Sequence, residues 1–524
     1  MTTQTTTVAA AADTTSLPPA VAIALAGSFV ANMAAQFATA NLADIQGSLG
    51  ASADEASWIT TVYTVASLAG IAVSPALLKT LGLRRYFVAA AAWFAVCAWL
   101  SAMATSLPTM LVARALQGLA GGTFGPIAFA AVFTLCTGAQ RLWGIALLAF
   151  VLLVSANTGP VVSAPLEVAL GWRGLFLVPL WVATLLALAA LRWMPIAPLN
   201  REGLRTGWPA IALLALACGA LMLVLSQGAR RFWLESDLIA WTLAIAAGAT
   251  IGFAVAHRHS TLRIIDIAKV MERRFGLSLL LNLTFRSTFA VSLYLVPLLL
   301  AQAQGARPLQ VSQALAWSLL PQIAIFPLVW RLLHRVDGRV LMAAGVLLFA
   351  LGIALSAAST GLVGGEQLRG NLMLIGVGQM LFAVPNLMFG ASTLRPEHGP
   401  TATIAFNLTT LGGSTMGIGL LSHFTIEREK LHSNALVEHV SWLQSGTSER
   451  LSASTAAWSS RFADDIAGSA SIAQLGAAVR REAWLLAVND AFALAAVVAI
   501  AALIGIALLG PCLPLSRSRP GDAP

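Results

Sequence analysis

Charge is what this chain has least of. Only 10% of its 524 residues are Asp, Glu, Lys or Arg, while 58% are apolar; a soluble globular domain carries roughly 25% charge. That shortage excludes a water-soluble domain as the bulk of the molecule and defines an integral membrane protein. Cysteine is also scarce. Cys97, Cys136, Cys218 and Cys512 are scattered, without the spacing of a metal site or a disulfide framework, so no metal and no cofactor are expected. No Gly-Lys-Ser/Thr loop cradles a nucleotide phosphate, which excludes an ATP-driven pump within the chain. The seven histidines are dispersed and form no catalytic constellation, and His257 and His259, in a basic stretch, are expected to be solvated. The opening MTTQTTTVAAAADTTSLPP holds no Lys or Arg and lacks the charged start of a signal peptide. A disordered cytoplasmic tail is expected over residues 1–17.

What the chain does have is apolar length. Runs long enough to cross a hydrocarbon layer of about 30 Å recur from residue 20 to residue 509, and about fourteen can be counted. Their expected bounds are 18–38, 56–78, 86–106, 108–131, 142–164, 173–194, 208–227, 237–256, 276–302, 309–332, 339–359, 370–393, 401–423 and 484–509. The fold class is therefore all-α integral membrane. Most Lys and Arg of the short loops fall on one side when both termini are placed in the cytoplasm, as the positive-inside rule demands. The inner clusters are Lys79, Arg84 and Arg85; Arg192, Arg201 and Arg205; Arg258, Arg263, Lys269, Arg273 and Arg274; and Arg331, Arg335 and Arg339. Topology and contact with anionic lipid thus explain the net charge of +9, and no nucleic-acid partner is invoked.

Two segments interrupt the string of spans. Residues 257–275, within HRHSTLRIIDIAKVMERRFG, read as a basic cytoplasmic connector whose Ile264, Ile265, Ile267, Ala268 and Met271 are suited to lie on the membrane surface. A polar insertion at 425–483 falls outside, between the last two spans. Leu436, Val440 and Leu443 have helical spacing there, and SGTSERLSAS reads as a turn between two amphipathic helices.

The fifth span contains VSANTGPVVSAP, residues 154–165. Asn157, Gly159, Pro160 and Pro165 weaken helices in water. In a bilayer such residues belong where helix packs on helix or lines a cavity, because backbone groups freed by proline cannot face lipid.

Here the sequence resembles the fourteen-span drug/proton antiporters of the major facilitator superfamily, the EmrB/QacA-like type. Gly159 and Pro160 match that family's fifth-span antiport signature, followed by GWRGLF; Ser163 and Ala164 stand where a glycine pair is usual. MLVARALQGLAGG, residues 110–122, is similar to the fourth-span signature, with Arg114, Gln117 and Gly118 in register. LGASADEASWITTVYTVA with Trp58 and Tyr63, FNLTTLGGSTMGIGL with Asn407, Gly412 and Gly413, and LLAVNDAFAL with Asp490 also match in order. The departures lie at the cytoplasmic gate. PALLKTLGLRR places Lys79 and Thr80 where relatives carry Asp and Arg, although Gly82 and Arg85 are kept. RLLHRVDGR keeps Arg335, Asp337 and Arg339 but has His334 in an acidic position. Ala34 and Thr410 replace an expected acid and an expected Arg.

The resemblance implies two six-helix bundles, 18–194 and 276–509, with two additional central spans in 195–256 and a cytoplasmic tail from 510 to 524. It further implies a secondary exporter of amphipathic compounds in a bacterial inner membrane, exchanging protons by alternating access, with a periplasmic membrane-fusion adaptor and an outer-membrane channel as partners for the 425–483 insertion. Glu167, Asp490 and Arg114 are the coupling candidates. Asn32, Gln36, Gln117, Asn157, Asn282, Arg286, Gln322, Gln379, Asn386 and Asn407 are candidates for the wall of a cavity. For each Asn or Gln an interhelical hydrogen bond of about 1 kcal/mol is the other role open. Arg286 beside Arg114 would make such a cavity cationic and better suited to an organic anion. The alternative reading is a transport-silent receptor or scaffold that keeps the fold while its gate residues decay.

Overall fold

The structure, a computed structural model, describes residues 17–201, 207–260, 265–392, 394–440, 444–460 and 463–510. Most of the N-terminal tail, Arg205, Arg263, Ile264, Leu443, Cys512 and the tail beyond residue 510 lie outside them.

Helices in chain order are α1 (Pro19–Ala40), α2 (Leu42–Leu49), α3 (Ala53–Ala102), α4 (Leu107–Leu135), α5 (Gly138–Trp193), α6 (Trp208–Gln227), α7 (Asp237–His259), α8 (Ile267–Met271), α9 (Arg273–Ala290), α10 (Val296–Gln304), α11 (Pro308–Leu333), α12 (Gly338–Ser356), α13 (Arg369–Ser392), α14 (Gly399–Glu438), α15 (Ser445–Ser459) and α16 (Asp464–Leu508). No strand occurs among the described residues. Twelve helices are long and apolar enough to cross a membrane; α9 and α10 form one of them through a π-helical turn at Val291–Leu295.

Helices α3 and α5, of 50 and 56 residues, are each too long for one crossing; straight, they would reach about 75 Å or more. Each turns at a glycine, Gly82 with φ 75° and Gly171 with φ 68°, backbone that a side chain strongly disfavours. The Ser74 hydroxyl lies 3.0 Å from the Tyr86 hydroxyl, twelve residues on, a contact possible only if the chain doubles back. The described helices therefore supply the expected fourteen crossings.

The basic clusters gather at one end. The Arg84 guanidinium donates to the Leu191 carbonyl, Asn200 N to the Thr80 carbonyl, Arg273 to the Leu508 carbonyl at 3.1 Å and Arg339 to that of Leu509 at 3.3 Å. The opposite end joins Arg230 to Asp54 at 3.4 Å, Arg481 to the Gly361 carbonyl at 2.9 Å and Asn489 to that of Ser359 at 2.7 Å.

Helices α1, α3, α4 and α5 pack on one another, as do α9, α11, α12, α13, α14 and α16. The two groups meet where α5 touches α11 and α13, and where α14 touches α3, α4 and α6. Helix α7 packs mainly on α6 and exposes Trp241, Ile251 and Val255. That is the apolar face expected against lipid.

The insertion departs from expectation. SGTSERLSAS is no turn: it lies within helix α15, anchored by buried Leu451 and by Thr455, which donates to the Ser471 hydroxyl of α16 at 3.1 Å. Packing against α16 overrides the turn preference of Ser and Gly. Its neighbours are prolongations of the spans themselves, since α14 runs on to Glu438 and α16 begins at Asp464. His257 also differs from expectation. It is only 5% exposed, with its ring 5.3 Å from that of Phe253, because α7 continues past the expected end of its span.

Candidate functional site

Of the breakers of α5, Asn157 and Gly159 are buried against other helices, while Pro165 is exposed. Pro165 has no N–H to offer the carbonyl four residues back, that of Val161; the Ser312 hydroxyl of α11 donates to that carbonyl at 3.1 Å. Gly159 lies against α1, where a Cβ would come within 2.4 Å of Gln36 Cβ. Any larger residue would push α1 away. Asn157, 4% exposed, donates from Nδ2 to Oε1 of Gln322 at 3.1 Å and of Gln379 at 3.4 Å. Gln322 also donates to Gln379, which donates to Ser292 in the π-helical turn at 3.1 Å. All four side chains are buried. One network thus ties α5 of the first helix group to α11, α13 and the π-helical turn between α9 and α10 of the second, and π-helical turns are frequent at functional sites.

Toward the basic end, the same two helices meet through aromatic rings. Trp143 and Phe150 of α5 lie 4.8 Å from Trp330 and 4.5 Å from Phe326 of α11, centroid to centroid. His334 stacks edge-on to Trp330 at 4.8 Å and its Nδ1 lies 2.8 Å from the Trp330 carbonyl. Sequence reading missed this cluster; tryptophans at span ends are common enough as interfacial anchors to hide it. Ion pairs are few among the described residues of the gate loops, as the departures at Lys79 and His334 lead one to expect. Lys79, Arg85 and Arg335 are exposed, and Asp337 caps α12 and pairs with Arg339 at 3.2 Å.

Arg114 is fully buried. It donates to Gln117 Oε1 at 2.7 Å and its guanidinium lies 4.2 Å from the centre of the Tyr63 ring. Gly118 permits this approach, because a Cβ there would come within 2.3 Å of the Tyr63 carbonyl oxygen. Arg286, 5% exposed, donates to the Leu152 carbonyl of α5 at 3.4 Å and lies over Phe289 at 5.3 Å. The contacts of Arg286 share no residue with those of Arg114, so the structure does not bring the two together.

The remaining candidates are held separately. Asn32 donates to the Ser28 carbonyl at 2.8 Å and Asn407 to that of Thr403 at 2.7 Å. Asn282 donates to Thr409 at 2.9 Å and to Thr410 at 3.0 Å, so Thr410 serves a bond at the position where the resemblance leads one to expect Arg. Asn386 and Ser278 exchange hydrogen bonds across α13 and α9. Glu167 is half-buried in α5 just before the turn at Gly171. Asp490 sits in α16 and accepts from Arg428 at 2.6 Å, with His432 Nε2 2.7 Å away; both partners belong to α14.

Twelve membrane crossings in two helix groups and two more in α6 and α7, with the groups joined across buried amides and rings, define a polytopic membrane protein of the transporter type. Comparison with known proteins gives the family. The Major Facilitator Superfamily model matches residues 24–418, and the chain belongs to that family. It is 25% identical over 407 residues to the multidrug export protein EmrB of Haemophilus influenzae, covering 76% of this chain and 78% of that one. It is 24% identical over 403 residues to the fatty acid resistance protein FarB of Neisseria gonorrhoeae, with the same coverage. The crystal structure of the human organic anion transporter MFSD10 (TETRAN) shares the fold, with a TM-score of 0.60 at 14% identity, covering 93% of this chain and 99% of that one.

Proposed function

We propose that this chain exports amphipathic organic compounds across a bacterial inner membrane by alternating access, with both termini in the cytoplasm. The observation that carries the reading is the amide network between α5 and α11. Uncharged polar groups satisfy one another while the helix groups meet, and they become a wettable cavity wall when the groups part. The names of the relatives, a multidrug exporter and a fatty acid resistance protein, support a small apolar or amphipathic cargo. In this reading 18–194 and 276–509 act as the two moving bundles, 195–256 as the added pair and 257–275 as the connector.

Proton antiport is the coupling we infer, with Glu167 and Asp490 as the exchanging acids and Arg114 as a positioning cation. The remaining polar candidates take turns as cavity wall. The helical insertion at 425–483 is the surface offered to a periplasmic adaptor and outer-membrane channel. Its deletion should spare membrane insertion and lower resistance in intact cells; unchanged resistance would count against that docking.

One observation favours the scaffold alternative: among the described residues Lys79 forms no ion pair. Flux in proteoliposomes under an imposed pH gradient separates the readings. The exporter reading requires gradient-dependent movement of an amphipathic probe; a flat trace across several probes would leave only the scaffold.

A further inference from the structure

We propose that Arg286 binds the carboxylate of an acidic amphipath and so selects anionic cargo, a proposal that rests on the exporter reading above. Arg286 lies thirteen residues into a helix that starts at Arg273, about 20 Å along its axis, and therefore deep in the apolar layer. A guanidinium there is expensive unless paired and fully hydrogen-bonded. This one is neither. Among the described residues its only hydrogen bond runs to the Leu152 carbonyl at 3.4 Å, the long limit for such a bond, and its Nε has no partner there. None of the ion pairs among the described residues includes it.

The chain has no anion to lend. Of its 22 acidic residues, the expected spans contain only Asp237, the first residue of the eighth, and Asp490 in the last. Asp490 is already held by Arg428 and His432. In the proposal that counter-charge arrives with a ligand, and Arg114, which likewise leaves Nε and Nη2 without a partner among the described residues, has to be told apart from Arg286 by its place.

Place decides between the two buried arginines. Arg114 is enclosed by residues of the first helix group, on Tyr63 and Gln117. Arg286 stands at the seam, reaching from α9 to α5, with Gly413 of α14 against its Cβ. It is one turn from the π-helical segment whose Ser292 joins the amide network. When the helix groups part, the bond to Leu152 breaks and the guanidinium faces the opening. A carboxylate supplies a charge-assisted, two-point partner, and the ring of Phe289, 5.3 Å from the guanidinium, is the apolar surface beside it.

The test uses the full chain in phosphatidylcholine vesicles, which carry no anionic lipid headgroup to compete, and two probes with one tail and opposite heads: laurate and dodecyltrimethylammonium. Laurate binding to the purified chain is measured in parallel by calorimetry. Arg286→Gln keeps an N–H donor for Leu152 and removes the charge. It should lower laurate transport and affinity about tenfold to a hundredfold, while dodecyltrimethylammonium transport changes less than about twofold. Arg286→Lys should restore most of the laurate signal. Equal losses for both heads in Arg286→Gln would make Arg286 a structural strut and overturn the proposal, as would unchanged laurate binding. If the unaltered chain moves neither probe, the exporter reading fails by itself; the binding measurement then still decides whether Arg286 holds a carboxylate.

Discussion

The two seams between the helix groups are built differently. Along α5 and α11 the contact is direct and specific, with rings at the basic end, amides in the middle and the Ser312 bond to Val161 toward the other end. Along α3 and α14 it is apolar, with Ile404 packing on Ala72, Ala76 and Ile211, and Leu408 and Leu411 on Leu68, Ile71 and Met222. There the added helix α6 acts as a strut. Gln227 at its end donates to Thr61 and Ser57 of α3 at 2.7 and 3.1 Å, and Gly419 of α14 lies against its Leu225 carbonyl. One seam thus carries directional bonds, which in the proposed cycle break as a unit when the groups part. The other is an apolar surface, along which the proposed cycle lets helices slide at little cost.

The largest effect should come from the ringed end of the first seam. Trp330→Ala removes the ring between Trp143 and His334 and should cost about 3 kcal/mol, read as a lower thermal midpoint in detergent and as faster thiol labelling from the basic side. Next, Gln379→Leu leaves buried amide groups of Asn157 and Gln322 short of a partner and should cost about 2 kcal/mol, with efflux reduced although the protein still reaches the membrane. The smallest effect belongs to the second seam. Gln227→Leu should cost about 1 kcal/mol, because Thr61 keeps its bond to Ser226 at 2.7 Å. A loss at Gln227 as large as that at Gln379 would erase the distinction between the seams.

The architecture was legible because apolar length, basic clustering and helix breakers are local signals. The run from Asn157 to Pro165 announced that one face of α5 meets protein; Asn157 and Gly159 do so, while Pro165 is exposed. Its partners were not legible: Gln322 and Gln379 lie 165 and 222 residues away from Asn157, and an isolated intramembrane amide looks the same whatever it bonds. The aromatic closure was hidden for the same reason. SGTSERLSAS misled because Ser and Gly signal turns locally, whereas contact with α16 decides its helix. Lys79 and His334 put the family's charge pairs in doubt, and the end where they lie carries edge-on and tilted rings instead, which those two residues did not specify.

If the breakers of α5 sit at a seam that opens in every cycle, pinning that seam must stop transport. In a background lacking Cys97, Cys136, Cys218 and Cys512, Val161→Cys combined with Ser312→Cys can be bridged by a short reducible thiol cross-linker and efflux followed before and after reduction. Efflux should vanish on bridging and return on reduction. A bridged protein exporting at the unbridged rate would contradict the moving seam.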